Sequence, residues 1–79
     1  MLTLKIVSPE KIVYEGPATQ VKVPGTLGLF EILDNHAPII SSLETGAVEY
    51  VTEAGAETLA IKGGFVEVRK NEVNLCVEV

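Results

Sequence analysis

The sequence predicts an all-β domain, either a sandwich or a barrel of short strands. Apolar residues recur at every second position along most of the 79 residues, whereas the spacing of an amphipathic helix does not recur. Aromatic residues make up only 5% of a chain that is 47% hydrophobic. The core must therefore come chiefly from Val, Ile and Leu, which favour strands over helices.

The N-terminal third contains three alternating runs. Leu2 to Ile6 forms the first, and Ser8-Pro9-Glu10-Lys11 ends it. A second run begins at Ile12 and is predicted to stop at Glu15-Gly16-Pro17. Val21 and Val23 flank Lys22 in the third run. These runs predict three short strands, each with one apolar face.

The next segment reads as a hairpin with an apolar tip. Pro24 fixes φ at the first central position of a type II turn, and Gly25 supplies the positive φ that the next position requires. Gly28 adds a second unrestricted position. An ordinary surface hairpin would be polar here, but this one carries Thr26, Leu27, Leu29 and Phe30. Apolar side chains at a hairpin tip indicate a surface that docks against a partner.

Further strands and turns fill the C-terminal half. The stretch from Ala37 to Leu43 fits either a strand or a short turn. Lys62-Gly63-Gly64 is predicted to be a hairpin turn, since it lacks the Lys-Ser/Thr pair and the following helix of a phosphate-binding loop. The remaining runs lie at 48–50, 59–61, 66–68 and 73–77, with turns at 53–56 and 70–72. The total is eight to ten strands in one domain over residues 1–79.

Charge and cysteine content exclude several classes of function. The net charge of −5 argues against nucleic acid or anionic lipid as a partner, because both require a basic face. The single cysteine, Cys76, cannot form an internal disulfide, which favours a reducing compartment. We expect no signal peptide and no direct insertion into a membrane, since no apolar run approaches the length of a span.

Few residues suggest a catalytic or metal-binding site. His36 is the only histidine, and a zinc site would need three or four ligands from His, Cys or carboxylates. A catalytic role would need an oriented nucleophile or acid, and no Ser or Asp spacing suggests one. The sequence therefore predicts no catalytic residue, no metal and no cofactor, with His36 as a structural or interface residue. Cys76 is predicted to lie on the polar face of its strand, and the side chains of Glu44, Glu49, Glu53 and Glu57 are predicted to be solvated.

Five segments together carry a resemblance to a known family. They are Val7 to Glu10, Tyr14 to Gly16, Val23 to Leu33, His36-Ala37-Pro38 and Gly63 to Val68. In this order and spacing they resemble the N-terminal β-sandwich of the epsilon subunit of F-type ATP synthase, over essentially the whole chain. The resemblance implies a flattened ten-stranded β-sandwich and a non-catalytic subunit of the central stalk.

The same resemblance implies partners and a location. The gamma subunit and the polar loops of the membrane c-ring would be the partners, coupled by this subunit during proton-driven ATP synthesis. The complex would lie on the cytoplasmic face of a bacterial inner membrane, to which this subunit would be peripheral. The residues facing the c-ring would be Thr26, Leu27, Gly28 and Leu29, and those facing gamma would be Ser8, His36 and Ser41. A stand-alone β-sandwich interaction module is the alternative function.

Two departures from the family pattern bear on these expectations. The family usually continues into a pair of C-terminal helices, whereas this sequence ends at Val79, where the sandwich would end. We therefore expect no C-terminal helical hairpin, and self-inhibition by such helices is not carried over. The pattern also commonly has a glycine where this chain has Glu31. If that position required a positive φ, the local backbone would have to differ.

Overall fold

The computed structural model describes residues 1–79, all of them in strands or in the short connections between strands. It has nine strands, and no residue is helical. Their bounds are β1 Leu2–Val7, β2 Ile12–Ala18, β3 Gln20–Gly25, β4 Gly28–Ile32, β5 Ile39–Leu43, β6 Gly46–Thr52, β7 Gly55–Ile61, β8 Gly63–Arg69 and β9 Glu72–Glu78.

The strands form one curled sheet in the order β2-β1-β9-β8-β5-β3-β6-β7, with β4 beside β3. All pairs are antiparallel except β1 with β9. β3 and β5 share one register pair, Gly25 opposite Leu43, and the sheet bends there into two layers. Layer one contains β2, β1, β9, β8 and β5, and layer two contains β4, β3, β6 and β7. The extents of 27 × 25 × 18 Å confirm the flattened sandwich.

The core lies between the two layers and comes from alternate strand positions. None of its sixteen hydrophobic residues is more than 8% exposed, and no polar side chain is buried. The rings of Tyr14 from β2 and Tyr50 from β6 pack with centroids 5.1 Å apart, which joins the layers on the side away from the bend. The core residues are Leu2, Leu4, Ile6, Ala18, Val21, Val23, Ile32, Leu43, Val48, Tyr50, Ile61, Val66, Val68, Val73, Leu75 and Val77.

The fold class predicted from the sequence is confirmed, with nine strands where the resemblance implied ten. The stretch from Ala37 to Leu43, whose sequence fits either a strand or a turn, contains strand β5, which begins at Ile39. Asp34 to Pro38 forms no strand. Asn35 has a left-handed φ of 63°, and Pro38 has no N–H to donate to a ladder, so this segment cannot supply a further strand.

The turn predicted at Pro24-Gly25 is wrong. Both residues lie within β3 and are buried, and the chain turns at Thr26 and Leu27 instead. Gly25 does not have a positive φ, whereas Gly28 has a φ of 121°. The reason for glycine at position 25 is space, because an added Cβ would lie 2.7 Å from Cε1 of Phe30.

The strand break predicted at Glu15-Gly16-Pro17 is also wrong, because β2 continues through these residues to Ala18. Pro17 lies opposite Thr3 of β1. Since β2 is an edge strand that pairs only with β1, a proline without an N–H is tolerated in it.

The hairpin turn predicted at Gly63-Gly64 is wrong as well. These residues open β8, which pairs with β5 and β9 and not with the preceding strand β7. Gly64 has a φ of 148°, and an added Cβ there would overlap the carbonyl oxygen of Cys76. Gly64 is required because β9 passes close to the start of β8, whereas an added Cβ at Gly63 would make only an ordinary contact, 3.6 Å from the Leu43 carbonyl oxygen.

Candidate interaction surfaces

The tip of the β3–β4 hairpin exposes apolar side chains, as the sequence predicts. Leu27 is fully exposed, and Leu29 is 68% exposed. Thr26 and Gly28 are exposed beside them. Phe30 turns the other way and packs against the core. The four residues expected to face the c-ring therefore form one continuous exposed tip.

A groove of about 340 Å³ lies between this tip and β5. Residues 25–30 line one side of this hairpin groove, and residues 39–41 line the other. None of the nine lining residues is charged. Ser41 lies within it, half-buried, and its hydroxyl donates to the Ser42 carbonyl oxygen over 3.1 Å. Ser41, expected to face gamma, is thus next to the residues expected to face the c-ring.

Glu31 occupies an ordinary position in strand β4. Its φ is not positive, so a glycine is not required there. It lies opposite Lys22 of β3, and its carboxylate accepts a hydrogen bond from the Gln20 amide. The departure from the family pattern therefore leaves the hairpin backbone regular.

A second apolar surface crosses the outer face of layer one. Ile12, Val7, Cys76 and Phe65 occupy neighbouring register positions on β2, β1, β9 and β8, and we refer to them as the apolar row. Ile12 and Phe65 are about half exposed. Ser8 follows Val7 and lines a groove of about 370 Å³ with Phe65 and Cys76. Sequence reasoning missed this row, because its members lie on four strands whose register no local pattern specifies.

The residues Asn35, His36, Lys70 and Asn71 form a polar corner where two turns meet. The backbone N–H of Asn35 donates to Oδ1 of Asn71 over 2.9 Å, which links the turns. The backbone N–H of His36 donates to the Leu33 carbonyl oxygen over 3.2 Å. His36 Nδ1 lies 2.8 Å from the Ala37 carbonyl oxygen. The sequence contains no signal for this arrangement beyond the isolated His36.

The three residues expected to face gamma are spread along layer one. Strands β1, β5 and β9 run in the same direction, so Ser8 lies beyond one end of the layer and His36 beyond the other. Ser41 lies between them on β5. The five residues of β5 alone extend over about 13 Å. A partner that contacts all three residues must therefore cover the length of the layer.

Several other features limit the chemistry of these surfaces. No three His, Cys, Asp or Glu side chains lie close enough together to hold a metal ion. Glu44, Glu49, Glu53 and Glu57 are exposed, as predicted, and Cys76 lies on the outer face with Asn74 and Glu78. The structure has no helix long and apolar enough to cross a bilayer.

The two-layer fold defines a small β-sandwich domain, and its exposed apolar surfaces are of the kind that marks interaction sites. The chain belongs to the family described as the β-sandwich domain of the ATP synthase delta/epsilon chain, whose model matches residues 1–79. The resemblance inferred from the sequence is confirmed.

Individual relatives agree with this family. The ATP synthase epsilon chain of Synechococcus sp. (strain PCC 6716) is 40% identical over 77 residues, which are 98% of this chain and 56% of the relative. That of Desulfitobacterium hafniense (strain DSM 10664 / DCB-2) is 45% identical over 76 residues, which are 96% of this chain and 58% of the relative. The chain thus spans little more than half the length of these relatives.

Solved structures share the fold at low identity. A chain of the Euglena gracilis mitochondrial ATP synthase (OSCP/F1/c-ring) superimposes with a TM-score of 0.89 at 20% identity, covering 96% of this chain and 49% of that chain. A chain of the Tetrahymena thermophila mitochondrial ATP synthase (central stalk/c-ring) gives 0.83 at 14% identity, covering 99% and 63%. These similarities show the same sandwich architecture.

Proposed function

We propose that this domain acts in the central stalk of an F-type ATP synthase, as a non-catalytic element that couples the gamma subunit to the c-ring during proton-driven ATP synthesis. The observation that carries the proposal is the exposed apolar tip at Leu27 and Leu29, in a chain of the delta/epsilon family. Two leucines exposed to water at a hairpin tip contribute nothing to the stability of the folded domain, whereas a partner that covers them would gain from their burial.

In the proposed arrangement, the hairpin tip meets the polar loops of the c-ring. Ser8, His36 and Ser41 lie along the surface that gamma covers. The complex is peripheral to a bacterial inner membrane on its cytoplasmic face. Coupling here is mechanical, because torque passes from the ring through the domain to the stalk.

The fold suits a mechanical role. Strand β9 pairs with β1 on one side and with β8 on the other, so the first and last strands of the chain lie side by side in the middle of layer one. The sixteen-residue core joins both layers into one packed unit. Close packing of this kind transmits strain instead of absorbing it. Force applied at the hairpin would therefore move the domain as one body.

The double substitution Leu27→Asp and Leu29→Asp tests the proposal in the assembled ATP synthase. We expect ATP synthesis driven by a proton gradient to fall several-fold, because two carboxylates would have to be desolvated in the contact. The isolated domain should keep its thermal stability, since these side chains bury little. The matched control is Ala54→Asp with Ala56→Asp, two exposed positions on the β6–β7 hairpin. Normal coupled synthesis in the leucine variant would contradict the assignment of this tip to the ring.

A further inference from the structure

The polar corner has an unpaired cation in a strongly acidic chain. Only two ion pairs form in the structure, Met1 with Asp34 and Lys5 with Glu15. Lys70 takes part in neither of them, and the same holds for Lys11, Lys22, Lys62 and Arg69, although carboxylates outnumber Lys and Arg by 11 to 6. A lysine left without a carboxylate in such a chain is available to an external anion.

The groove beside Lys70 contains no carboxylate. It has a volume of about 390 Å³ and is lined by Asn35, His36, Pro38, Lys70 and Asn71. The acidic residue that precedes it, Asp34, is held by the α-amino group of Met1 at 2.7 Å. Glu72, which follows it, lies opposite Arg69 in the β8–β9 register and does not line the groove. An anion in the groove would therefore meet no like charge among its lining residues.

The hydrogen bonds already formed determine which groups remain free. Oδ1 of Asn71 accepts the N–H of Asn35, so the Asn71 amino group is left as a donor. The Ala37 carbonyl can only accept, so Nδ1 of His36 is the donor in that contact and is already used. The side-chain donors left free among the lining residues are thus the Lys70 ammonium and the amides of Asn35 and Asn71, with the His36 ring as a wall of the groove.

We propose that the polar corner binds one carboxylate presented by the protein that covers this end of layer one, held by Lys70 and Asn71. The identity of that protein as gamma rests on the proposed function, but the anion site itself does not. An ammonium and an amide on residues that line one groove match the two oxygens of a carboxylate, and charge-assisted hydrogen bonds of this kind are stronger than neutral ones.

The first experiment uses the 79-residue chain and free anions. Backbone amide NMR signals are followed during titration with sodium acetate, with sodium chloride at the same ionic strength as reference. We expect saturable shifts at Asn35, His36 and Asn71. Lys70→Asn should weaken the apparent affinity about fivefold, which is the upper range for an exposed charge pair. Asparagine tolerates the left-handed φ of 57° at position 70, so the fold should persist.

Lys62→Asn is the matched control, because Lys62 is exposed and unpaired in the connection between β7 and β8. Acetate binding should be unchanged in this variant. Shifts that do not saturate, or that are the same in Lys70→Asn, would overturn the site. Binding of inorganic phosphate more than about tenfold tighter than acetate would overturn the carboxylate assignment in favour of a phosphate ligand.

The second experiment measures binding to purified gamma. Lys70→Glu should raise the Kd at least about tenfold, because like charges would then face each other across a contact. Lys62→Glu should leave the Kd within about twofold. An unchanged Kd for Lys70→Glu would overturn the carboxylate contact while leaving the proposed function intact. Failure of the unmodified chain to bind gamma would contradict the proposed function, and the acetate titration would still decide the anion site.

Discussion

At the scale of single residues, two glycines show that a position can require glycine for its backbone angle alone or also because there is no room for a side chain. Gly55 and Gly64 both have positive φ angles, 117° and 148°. An added Cβ would meet nothing within 4 Å at Gly55 but would overlap the Cys76 carbonyl oxygen at Gly64, with Val77 Cα at 2.9 Å. One position therefore needs only an unusual angle, whereas the other also needs the absence of a side chain.

Substitution by alanine should separate these two demands. We expect Gly55→Ala to lower the free energy of unfolding by about 1–2 kcal/mol through backbone strain alone. Gly64→Ala should lower it by about 4 kcal/mol or more, because strands β8 and β9 must also move apart. Urea denaturation of the two variants measures the difference. Equal losses would show that the close approach of β9 does not determine the residue at position 64.

At the same scale, the ionisation of Tyr50 makes the free energy of unfolding depend on pH. Burial raises the pKa of its hydroxyl group, and the charges of Glu57 and Tyr14 raise it further. As the pH rises, Tyr50 therefore ionises in the unfolded chain before it ionises in the folded chain. Its contribution to the free energy of unfolding is fully present below about pH 10 and is lost as the pH rises through the higher pKa of the folded chain.

We expect the free energy of unfolding to fall more steeply above about pH 10 in the unmodified chain than in Tyr50→Phe, which cannot ionise there. Denaturation at a series of alkaline pH values gives both slopes. Parallel curves would mean that Tyr50 ionises equally in the folded and unfolded chains. Near pH 7, a small change in pH should alter the free energy of unfolding of the two proteins by the same amount.

At the scale of elements, the parallel pair of β1 and β9 is the centre of layer one. Ile6 and Leu75 lie opposite each other in this pair, and both are completely buried. Strand β9 also pairs with β8 on its other side, where Leu75 lies opposite Val66. A change at Leu75 therefore acts on three strands at once.

Leu75→Ala should lower the free energy of unfolding by about 2–5 kcal/mol, from lost transfer energy and the cavity left behind. A domain of this size has about 5–15 kcal/mol in total, so the loss is a large share. Asn74→Ala, on the outer face of the same strand, should change it by no more than about 0.5 kcal/mol. Urea midpoints at constant m-value measure both. A small effect of Leu75→Ala would show that β9 is not essential to the core.

At the scale of the whole molecule, the two outer faces differ in chemistry. Both outer faces carry charged pairs, because Lys22 lies opposite Glu31 and Glu49 on layer two and Lys5 lies opposite Glu15 on layer one. On layer one, the apolar row also crosses four strands next to Ser8, and the polar corner lies at the other end of the layer. The outer face of layer one therefore combines an exposed apolar area with polar residues at both ends, which suits contact with a large partner. A specific interface buries about 800 Å² on each partner.

Protection of single cysteines by gamma tests this assignment. In a Cys76→Ser background, cysteine replaces Ser8, His36 or Ser41, and Ala54→Cys on the β6–β7 turn of layer two serves as the control. We expect a bulky thiol reagent to react more slowly at the three positions when gamma is present, and equally fast at position 54. The ratio with and without gamma is the readout, because Ser41 is half-buried in the free domain. Unchanged ratios at all three positions would favour a stand-alone adaptor.

Much of the fold and one of the surfaces could be predicted from sequence. The alternation of Leu2, Leu4 and Ile6, and of Val73, Leu75 and Val77, identifies the buried face of each strand, because the side-chain period of a strand is two. The turns at Glu53-Ala54 and Lys70-Asn71 follow from local turn chemistry. The exposed hairpin tip at Leu27 follows from apolar residues placed between glycines.

By itself, then, the sequence determined the fold class, the inward face of most strands and the family. Only the tertiary structure decided which strands are neighbours, and two of the failed predictions depend on that. Gly63-Gly64 opens a strand because β9 and β5 lie beside it, and Pro17 stays in β2 because that strand is at an edge. The apolar row and the polar corner join residues far apart in the chain. Their assembly depends on register between distant strands, which local periodicity does not encode.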